Sequence, residues 1–338
     1  MVKTPTPVKL PSGNWRIQIC VDGKRYSFVD KDIKVVKQKA KEVFAGAQIE
    51  KRLPMTVGTA IDKYIAVKSG ILSPSTILGY KRYRANYFQC IMDTRLSDLT
   101  QEDIQIAVSE DAASGLSPKT IRNAHGLLSA VLRMYRPALM LRTTLPEKQV
   151  YEVRIPTEEE IQKIWQAARG TRYELPILLG SWLGLRMSEI KGLKFSDLSG
   201  SQIHIQRAIV RGEKGSEVKK TKTVSGDRWI TVPEEILNMI HLQPKTSDYI
   251  CNYPSISIYK GFVRTCERAG VEPCRFHDLR HFAASEAHSL GVPDKYQMKR
   301  MGHKTDNMLK TVYQHTMRDK EVAFSNIIDS HMRELYLQ

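Results

Sequence analysis

The residues with the clearest chemical potential lie in the stretch His277-Asp278-Leu279-Arg280-His281. If this stretch is helical, His277, Arg280 and His281 stand at positions i, i+3 and i+4 and share one face. Arginine carries a permanent charge, and a histidine beside it can exchange a proton near neutral pH. Such a pair suits a phosphodiester, because the arginine holds the charge while the histidine moves a proton. Taken alone, the short pattern is more typical of a basic surface cluster.

Three further elements favour the chemical interpretation. Arg186 directly follows an apolar stretch and precedes Glu189 by three residues, and a buried arginine needs a partner or an anionic ligand. Gly302-His303 leads, ten residues after His303, to Tyr313 in the sequence Tyr-Gln-His. Between the two arginines lies Lys222, in Thr-Lys-Thr just before a Ser-Gly-Asp turn. The set therefore combines two arginines, a lysine, histidines and a tyrosine.

Composition and missing motifs exclude several other classes. The chain has 338 residues, a formal net charge of +16 and 41% hydrophobic residues, which predict folded domains and a polyanionic partner. Neither a P-loop nor a G-x-G-x-x-G loop is present, and the cysteines match no usual zinc spacing. Five cysteines without C-x-x-C, together with an N-terminus that lacks an apolar signal region, favour a reducing cytoplasm.

The order Arg, Lys, H-x-x-R, G-H and Tyr-x-His resembles the tyrosine recombinases, specifically the integrases of phages and mobile elements, over residues 155–315. This resemblance implies cutting and rejoining of DNA through a 3′-phosphotyrosyl link, to integrate and excise an element. It implies no metal, ATP or other cofactor. By this resemblance, Tyr313 is the expected nucleophile, and Arg186 and Arg280 are expected to hold the phosphate. Lys222 is the expected general acid and His277 the general base. His303 is expected to donate a hydrogen bond to the phosphate.

Three roles are less sharply defined by the pattern. Glu189 is expected to brace the site, and His281 is either catalytic or structural. Lys219 and Lys220 are alternatives to Lys222 as general acid, since alternation along a strand does not say which lysine faces DNA. Tyr336 lacks the Tyr-x-His context and is expected to pack within the protein.

The elements around these residues predict a multi-domain α+β protein. Residues 1–52 read as a small β-hairpin plus helix, either a structural appendage or an arm-type DNA-binding domain. Residues 55–145 read as an all-helical domain that binds core DNA. Residues 155–338 read as a mainly helical catalytic domain with a small antiparallel sheet and a C-terminal tail helix. The expected DNA-binding residues outside the catalytic set are Lys24, Arg25, Lys81, Arg82, Arg84 and Lys119.

The expected partner is double-stranded DNA at core-type and arm-type attachment sites, bound by a homotetramer in the bacterial cytoplasm. An excisionase or a host DNA-bending protein is a further expected partner, and a membrane is not. The tail helix packs either on its own domain or on a neighbouring protomer. Two alternative functions are a type IB topoisomerase, which shares the chemistry, and a non-catalytic DNA-binding regulator, which explains the charge alone.

Overall fold

The computed structural model describes residues 5–21, 24–52, 55–149, 154–220, 226–302, 329–330 and 332–333, with the backbone alone at 24, 44–52 and 220. The chain divides into two compact units, Met1–Val150 and Tyr151–Gln338. The mixed α+β class predicted from the sequence is confirmed. The predicted division of the first unit into two domains, between residues 52 and 55, stays a prediction.

The N-terminal part of the first unit is an antiparallel sheet with a helix against it. Alternation places Ile17 and Ile19 on one face, where they are buried with Val36 and Ala40 of the helix. The predicted hairpin is present, and a short additional strand extends the sheet in the order β1-β2-β3. The elements are β1 Val8–Lys9, β2 Trp15–Val21, β3 Lys24–Asp30 and α1 Ile33–Arg52.

The rest of the first unit is helical, and short polar side chains begin its helices as predicted. Thr56 and Ser117 accept backbone hydrogen bonds at helix N-termini, and Thr100 forms a reciprocal capping box with Asp103. Apolar side chains from the four helices of this part form a core that is separate from that of the N-terminal sheet. The helices are α2 Val57–Lys68, α3 Pro74–Asn86, α4 Gln101–Ala113 and α5 Pro118–Tyr135.

Arg84 is part of this helical packing. Its Nε atom donates to the Gly58 carbonyl oxygen at 3.2 Å and to the Asp62 carboxylate at 3.3 Å. Gly58 leaves room for the guanidinium group, since a Cβ there would lie 2.6 Å from Arg84 Nη2. Arg84 therefore ties α3 to α2, whereas its neighbour Arg82 is exposed. A DNA contact by Arg84 stays a prediction and would compete with these bonds.

The second unit is mainly helical, as the sequence predicts, but its strands form two small antiparallel sheets instead of the single sheet predicted. A large apolar core fills it, and Thr157 forms a capping box with Glu160 at its first helix. No helix within the described ranges is both long and apolar enough to cross a membrane. The elements are α6 Glu158–Ala168, α7 Glu174–Ser181, α8 Met187–Gly192, β4 Leu198–Ser199, β5 Gln202–Ile205, β6 Arg207–Gly212, β7 Gly215–Lys220, β8 Arg228–Thr231, α9 Glu234–His241, α10 Ser255–Arg268, α11 Asp278–Ser289 and α12 Asp294–Met301.

The strand pairing differs from the order of the strands in the sequence. The strand β8 pairs with β5, while β7 forms a separate hairpin with β6. The alternating residues from Ile203 to Val210 thus belong to two sheets. The break between them is held by the buried carboxylate of Asp197, which accepts hydrogen bonds from Gln206 at 2.8 Å and Arg207 at 2.5 Å. With β8 paired to β5, Arg228 at the start of β8 lies within hydrogen-bonding distance of Glu189 on α8.

Candidate active site

Arg186 is positioned by a sharp turn after a buried helix. The chain leaves α7, and Gly184 adopts a positive φ of 67°, a conformation that glycine tolerates best. The turn is also crowded, since a Cβ on Gly184 would lie 2.4 Å from Met301 Sδ. Arg186 then becomes the N-cap of α8, with its side chain 35% exposed. The position thus joins a rigid, buried backbone to an accessible guanidinium group.

Glu189 contacts Arg186 through both of its carboxylate oxygens. Its Oε2 atom accepts the backbone N–H of Arg186 at 3.0 Å, and its Oε1 atom accepts Arg186 Nη1 at 2.7 Å. Glu189 is only 4% exposed. A buried carboxylate that receives several charge-assisted hydrogen bonds fixes its donors strongly. Glu189 therefore sets the direction of the Arg186 side chain.

Arg280 lies on α11 and is almost fully buried, at 2% exposure. Its Nη1 donates to the Gly184 carbonyl at 2.5 Å and its Nη2 to the Met301 carbonyl at 2.6 Å. Nη1 also lies 3.9 Å from Glu189 Oε2. These two hydrogen bonds use two of the five N–H groups of a guanidinium. Arg186 and Arg280 thus meet at one site, although 94 positions separate them in the sequence.

A third arginine, Arg228, completes the group and carried no predicted role. It begins β8, and its side chain is 3% exposed. Its Nη1 and Nη2 donate to both carboxylate oxygens of Glu189, at 3.3 and 3.1 Å. Alternation with the buried Ile230 was the available signal, because it places an arginine on the inward face of a strand.

The C-terminus of α12 provides the second anchor for all three arginines. The carbonyls of Arg300, Met301 and Gly302 accept, respectively, from Arg228 Nε at 2.7 Å, Arg280 Nη2 at 2.6 Å and Arg186 Nη2 at 3.3 Å. The last carbonyls of a helix lack partners within the helix and carry its partial negative charge. Gly302 ends the helix with a φ of 66°. The next residue in the sequence is His303.

The electrostatics of the site favour an anion. Burial alone would raise the pKa of Glu189, but Arg228 and then Arg186 lower it to about 2. Burial, followed by the charge of Arg186, lowers the pKa of Arg280 to about 9, so Arg280 stays protonated at neutral pH. Three guanidinium charges against one carboxylate leave a net charge of two positive units. The arrangement can bind a phosphate and stabilise additional negative charge on it.

His277 stands at the N-cap of α11, and its ring meets the His281 ring edge-on with centroids 4.9 Å apart. His277 keeps part of its surface in solvent, yet loss of ring solvation, His281, Arg280 and Arg186 together lower its pKa to about 4. Burial also lowers the pKa of His281. Both imidazoles are therefore neutral at pH 7 and able to accept a proton. The position of His281 behind His277 fits support of that ring.

The remaining predicted site residues fall into two groups. Arg25, Lys81, Arg82 and Lys119 are exposed on the first unit, where their DNA contacts stay predictions. The side chain of Lys24, together with Lys222, His303, Tyr313 and Tyr336, lies outside the described residues, as does most of the predicted tail helix.

Comparisons with known proteins match the segment that contains these residues. Residues 155–320 match the family model described as the phage integrase family. A putative prophage phiRv2 integrase of Mycobacterium tuberculosis is 30% identical over 196 residues. Residues 155–320 form a phage integrase family domain. The alignment with the phiRv2 integrase covers 52% of this chain and 51% of the relative, so the chain spans about half the length of the phiRv2 integrases it matches.

Other relatives extend the match beyond residues 155–320. A tyrosine recombinase XerC-like protein of Caldanaerobacter subterraneus is 25% identical, covering 72% of this chain and 75% of the relative. The Tn1549 transposon integrase, solved with circular intermediate DNA, is 20% identical with a TM-score of 0.67. The match covers 81% of this chain and 100% of the transposon integrase chain. A lambda integrase, solved as a tetramer bound to a Holliday junction, is 19% identical with a TM-score of 0.58. The match covers 92% of this chain and 95% of the lambda integrase chain. Both structures share the fold of this chain.

The depressed pKa of Glu189 predicts a specific pH dependence of stability. The folded value is about 2, against an ordinary value of 4.5. The stabilisation is therefore complete above about pH 4.5 and is lost as the pH falls toward 2. Urea unfolding of the full chain between pH 3 and 6 should show a steeper acid loss for wild type than for Glu189→Gln, which cannot titrate. Parallel pH curves for the two proteins would contradict the depressed pKa.

Proposed function

We propose that this chain is a site-specific DNA recombinase that integrates and excises a phage or other mobile element. The observation that carries the proposal is the convergence of Arg186 and Arg280 on one braced site with a net positive charge. A phosphodiester carries one negative charge, and its pentacoordinate transition state carries more. Two arginines supply paired donors that stabilise this added negative charge, and the step needs no metal ion.

In the proposed cleavage step, the Tyr313 hydroxyl oxygen attacks the scissile phosphorus and the bond to the 5′-oxygen breaks. The tyrosine proton passes to the neutral imidazole of His277, whose pKa of about 4 keeps it unprotonated at pH 7. Lys222 donates a proton to the leaving 5′-oxygen, which becomes a hydroxyl group. The product is a 3′-phosphotyrosyl link, and attack by another 5′-hydroxyl reverses the step.

The phosphate is held during this exchange by the arginines. Arg186 is the more accessible of the two and is aimed by Glu189. Arg280 is held by two backbone carbonyls, so it supplies a fixed charge beneath the phosphate. His303, one residue after the carbonyl that binds Arg186, donates a further hydrogen bond to a phosphate oxygen. A preorganised site of this kind needs little reorganisation as charge develops.

The first unit supplies DNA affinity in this proposal. The sheet-and-helix segment binds arm-type sites, and the helical segment binds core-type sites through Lys81, Arg82 and Lys119. A formal charge of +16 supports broad contact with phosphate backbones and a steep loss of affinity with salt. Four protomers would join two DNA sites in the bacterial cytoplasm, assisted by an excisionase or a DNA-bending protein. The lambda integrase tetramer on a Holliday junction supports this assembly.

A nicked DNA duplex tests the proposed nucleophile. The sequence of the duplex is taken from the flanks of the element that encodes this chain, and the duplex carries a nick near the cleavage site. The short 5′-product then escapes after cleavage, which traps the covalent intermediate. Wild type and Tyr336→Phe in EDTA should give a protease-sensitive DNA–protein band, and Tyr313→Phe should give none. A band that survives in Tyr313→Phe would contradict the assignment, and loss of the band in Tyr336→Phe alone would move the nucleophile there.

A sulfur-substituted DNA tests which lysine is the general acid. Replacing the bridging 5′-oxygen by sulfur creates a leaving group that needs no proton, because thiols are far more acidic than alcohols. Lys222→Ala should form the covalent complex about 100-fold more slowly than wild type on ordinary DNA and at a similar rate on the sulfur-substituted DNA. Lys219→Ala and Lys220→Ala are the matched controls and should resemble wild type on both. Rescue of Lys219→Ala or Lys220→Ala instead would reassign the general acid.

A further inference from the structure

Arg228 is a buried charge that no part of the proposed chemistry uses. Its side chain is 3% exposed, and it occupies an inward position of β8 that would ordinarily hold an apolar residue. A buried guanidinium without compensation costs several kcal/mol. The chain therefore keeps an arginine at a place where an aliphatic side chain could fill the core. Its partners show what it does there.

Every nitrogen of the Arg228 guanidinium has an acceptor. Nη1 and Nη2 donate to the two carboxylate oxygens of Glu189, at 3.3 and 3.1 Å, and Nη1 also lies 3.4 Å from the Gly226 carbonyl. Nε donates to the Arg300 carbonyl at 2.7 Å. Four of its five N–H groups are thus accounted for within the protein, and 3% of the side chain is exposed. These contacts direct Arg228 to Glu189 and α12 and away from solvent.

The two main partners of Arg228 belong to the segments that hold the site. Glu189 orients Arg186 on α8, and the Arg300 carbonyl lies at the end of α12. The next two carbonyls of that helix end bind Arg280 and Arg186. Arg228 therefore links Glu189 on α8 to the C-terminal end of α12. These are the same two groups that hold Arg186 and Arg280.

Charge balance gives this contact a functional consequence. Glu189 lies 2.7 Å from Arg186 Nη1 and 3.9 Å from Arg280 Nη1. Without Arg228, the whole carboxylate charge would fall on those two arginines and reduce the attraction that they offer to a phosphate. With Arg228 in place, the pair Glu189–Arg228 is neutral, and the other two charges remain for the ligand.

We propose that Arg228 is a positioning residue of the recombinase site, which neutralises Glu189 and fixes it against α12 so that Arg186 and Arg280 keep their charge and direction for the scissile phosphate. The inference rests on the proposed function. In this role, Arg228 contributes to stabilisation of the charge on the transition state and not to the affinity for DNA. The loss on removing Arg228 should therefore appear in the rate of covalent-complex formation and not in the DNA concentration that half-saturates it.

The test compares four full-length proteins with wild type on the nicked duplex: Arg228→Met, Arg228→Lys, Glu189→Gln and the double variant Arg228→Met/Glu189→Gln. Arg228→Met should slow covalent-complex formation about 100-fold, because the arginines lose their alignment. Relative to wild type at the same pH, its rate should recover toward acid pH, because Glu189 titrates at a higher pH without Arg228 and its protonation removes the uncompensated carboxylate charge. Arg228→Lys retains the charge and should keep the wild-type pH profile at an intermediate rate.

The double variant is the sharpest measurement. Removing the carboxylate charge together with Arg228 restores the net charge of two, so the double variant should be about tenfold faster than Arg228→Met and should lack the acid-side recovery, because it has no carboxylate to protonate. Multiplicative losses in the double variant, or a wild-type pH profile in Arg228→Met, would overturn the proposal. A rise in half-saturating DNA with an unchanged rate would overturn it as well.

Thermal unfolding of the same proteins separates this inference from the proposed function. The structure predicts that the two substitutions are coupled in melting temperature, with the double variant more stable than the sum of the single losses. If wild type forms no covalent complex while this coupling is present, the proposed function fails and the Glu189–Arg228 contact stands. If wild type is active but the coupling is absent, only the role of Arg228 fails. Should Arg228→Met not fold, Arg228→Lys and the double variant carry the comparison.

Discussion

The buried carboxylate of Glu189 and the C-terminal carbonyls of α12 together hold three arginines within one small volume. The guanidinium groups of Arg228 and Arg280 would be costly to bury on their own, and all three arginines contact both anchors. The three arginines come from a turn, a strand and a helix that are far apart in the sequence. Much of the second unit can be understood as the framework that brings these segments to the same carboxylate.

That constraint accounts for several local features. The buried α7 and the positive φ of Gly184 bring Arg186 into position while leaving the Gly184 carbonyl for Arg280. The left-handed Gly302 ends α12 just where its carbonyls are needed. The pairing of β8 with β5, rather than with β7, carries Arg228 inward beneath Glu189. Geometry and charge compensation are therefore satisfied by the same few contacts.

Local signals in the sequence predicted much of this architecture. Capping residues such as Thr56 and Thr157 marked helix starts correctly, because a cap depends only on the next three residues. The joining of Arg186 and Arg280 followed from a resemblance to integrases rather than from any local pattern. Strand partners were not predictable, since pairing depends on tertiary packing. Arg228 was missed because its partners, Glu189 and the Arg300 carbonyl, are 39 and 72 positions away.

An experimental structure of the full chain, trapped covalently on the nicked duplex, would show directly which groups hold the phosphate. We expect the phosphorus to be joined to the Tyr313 oxygen, with its non-bridging oxygens within hydrogen-bonding distance of Arg186 and Arg280. We also expect Arg228 to remain hydrogen-bonded to Glu189. A phosphate bound away from both arginines, or an Arg228 that leaves Glu189 to contact DNA, would show that this cluster does not hold the phosphate as proposed.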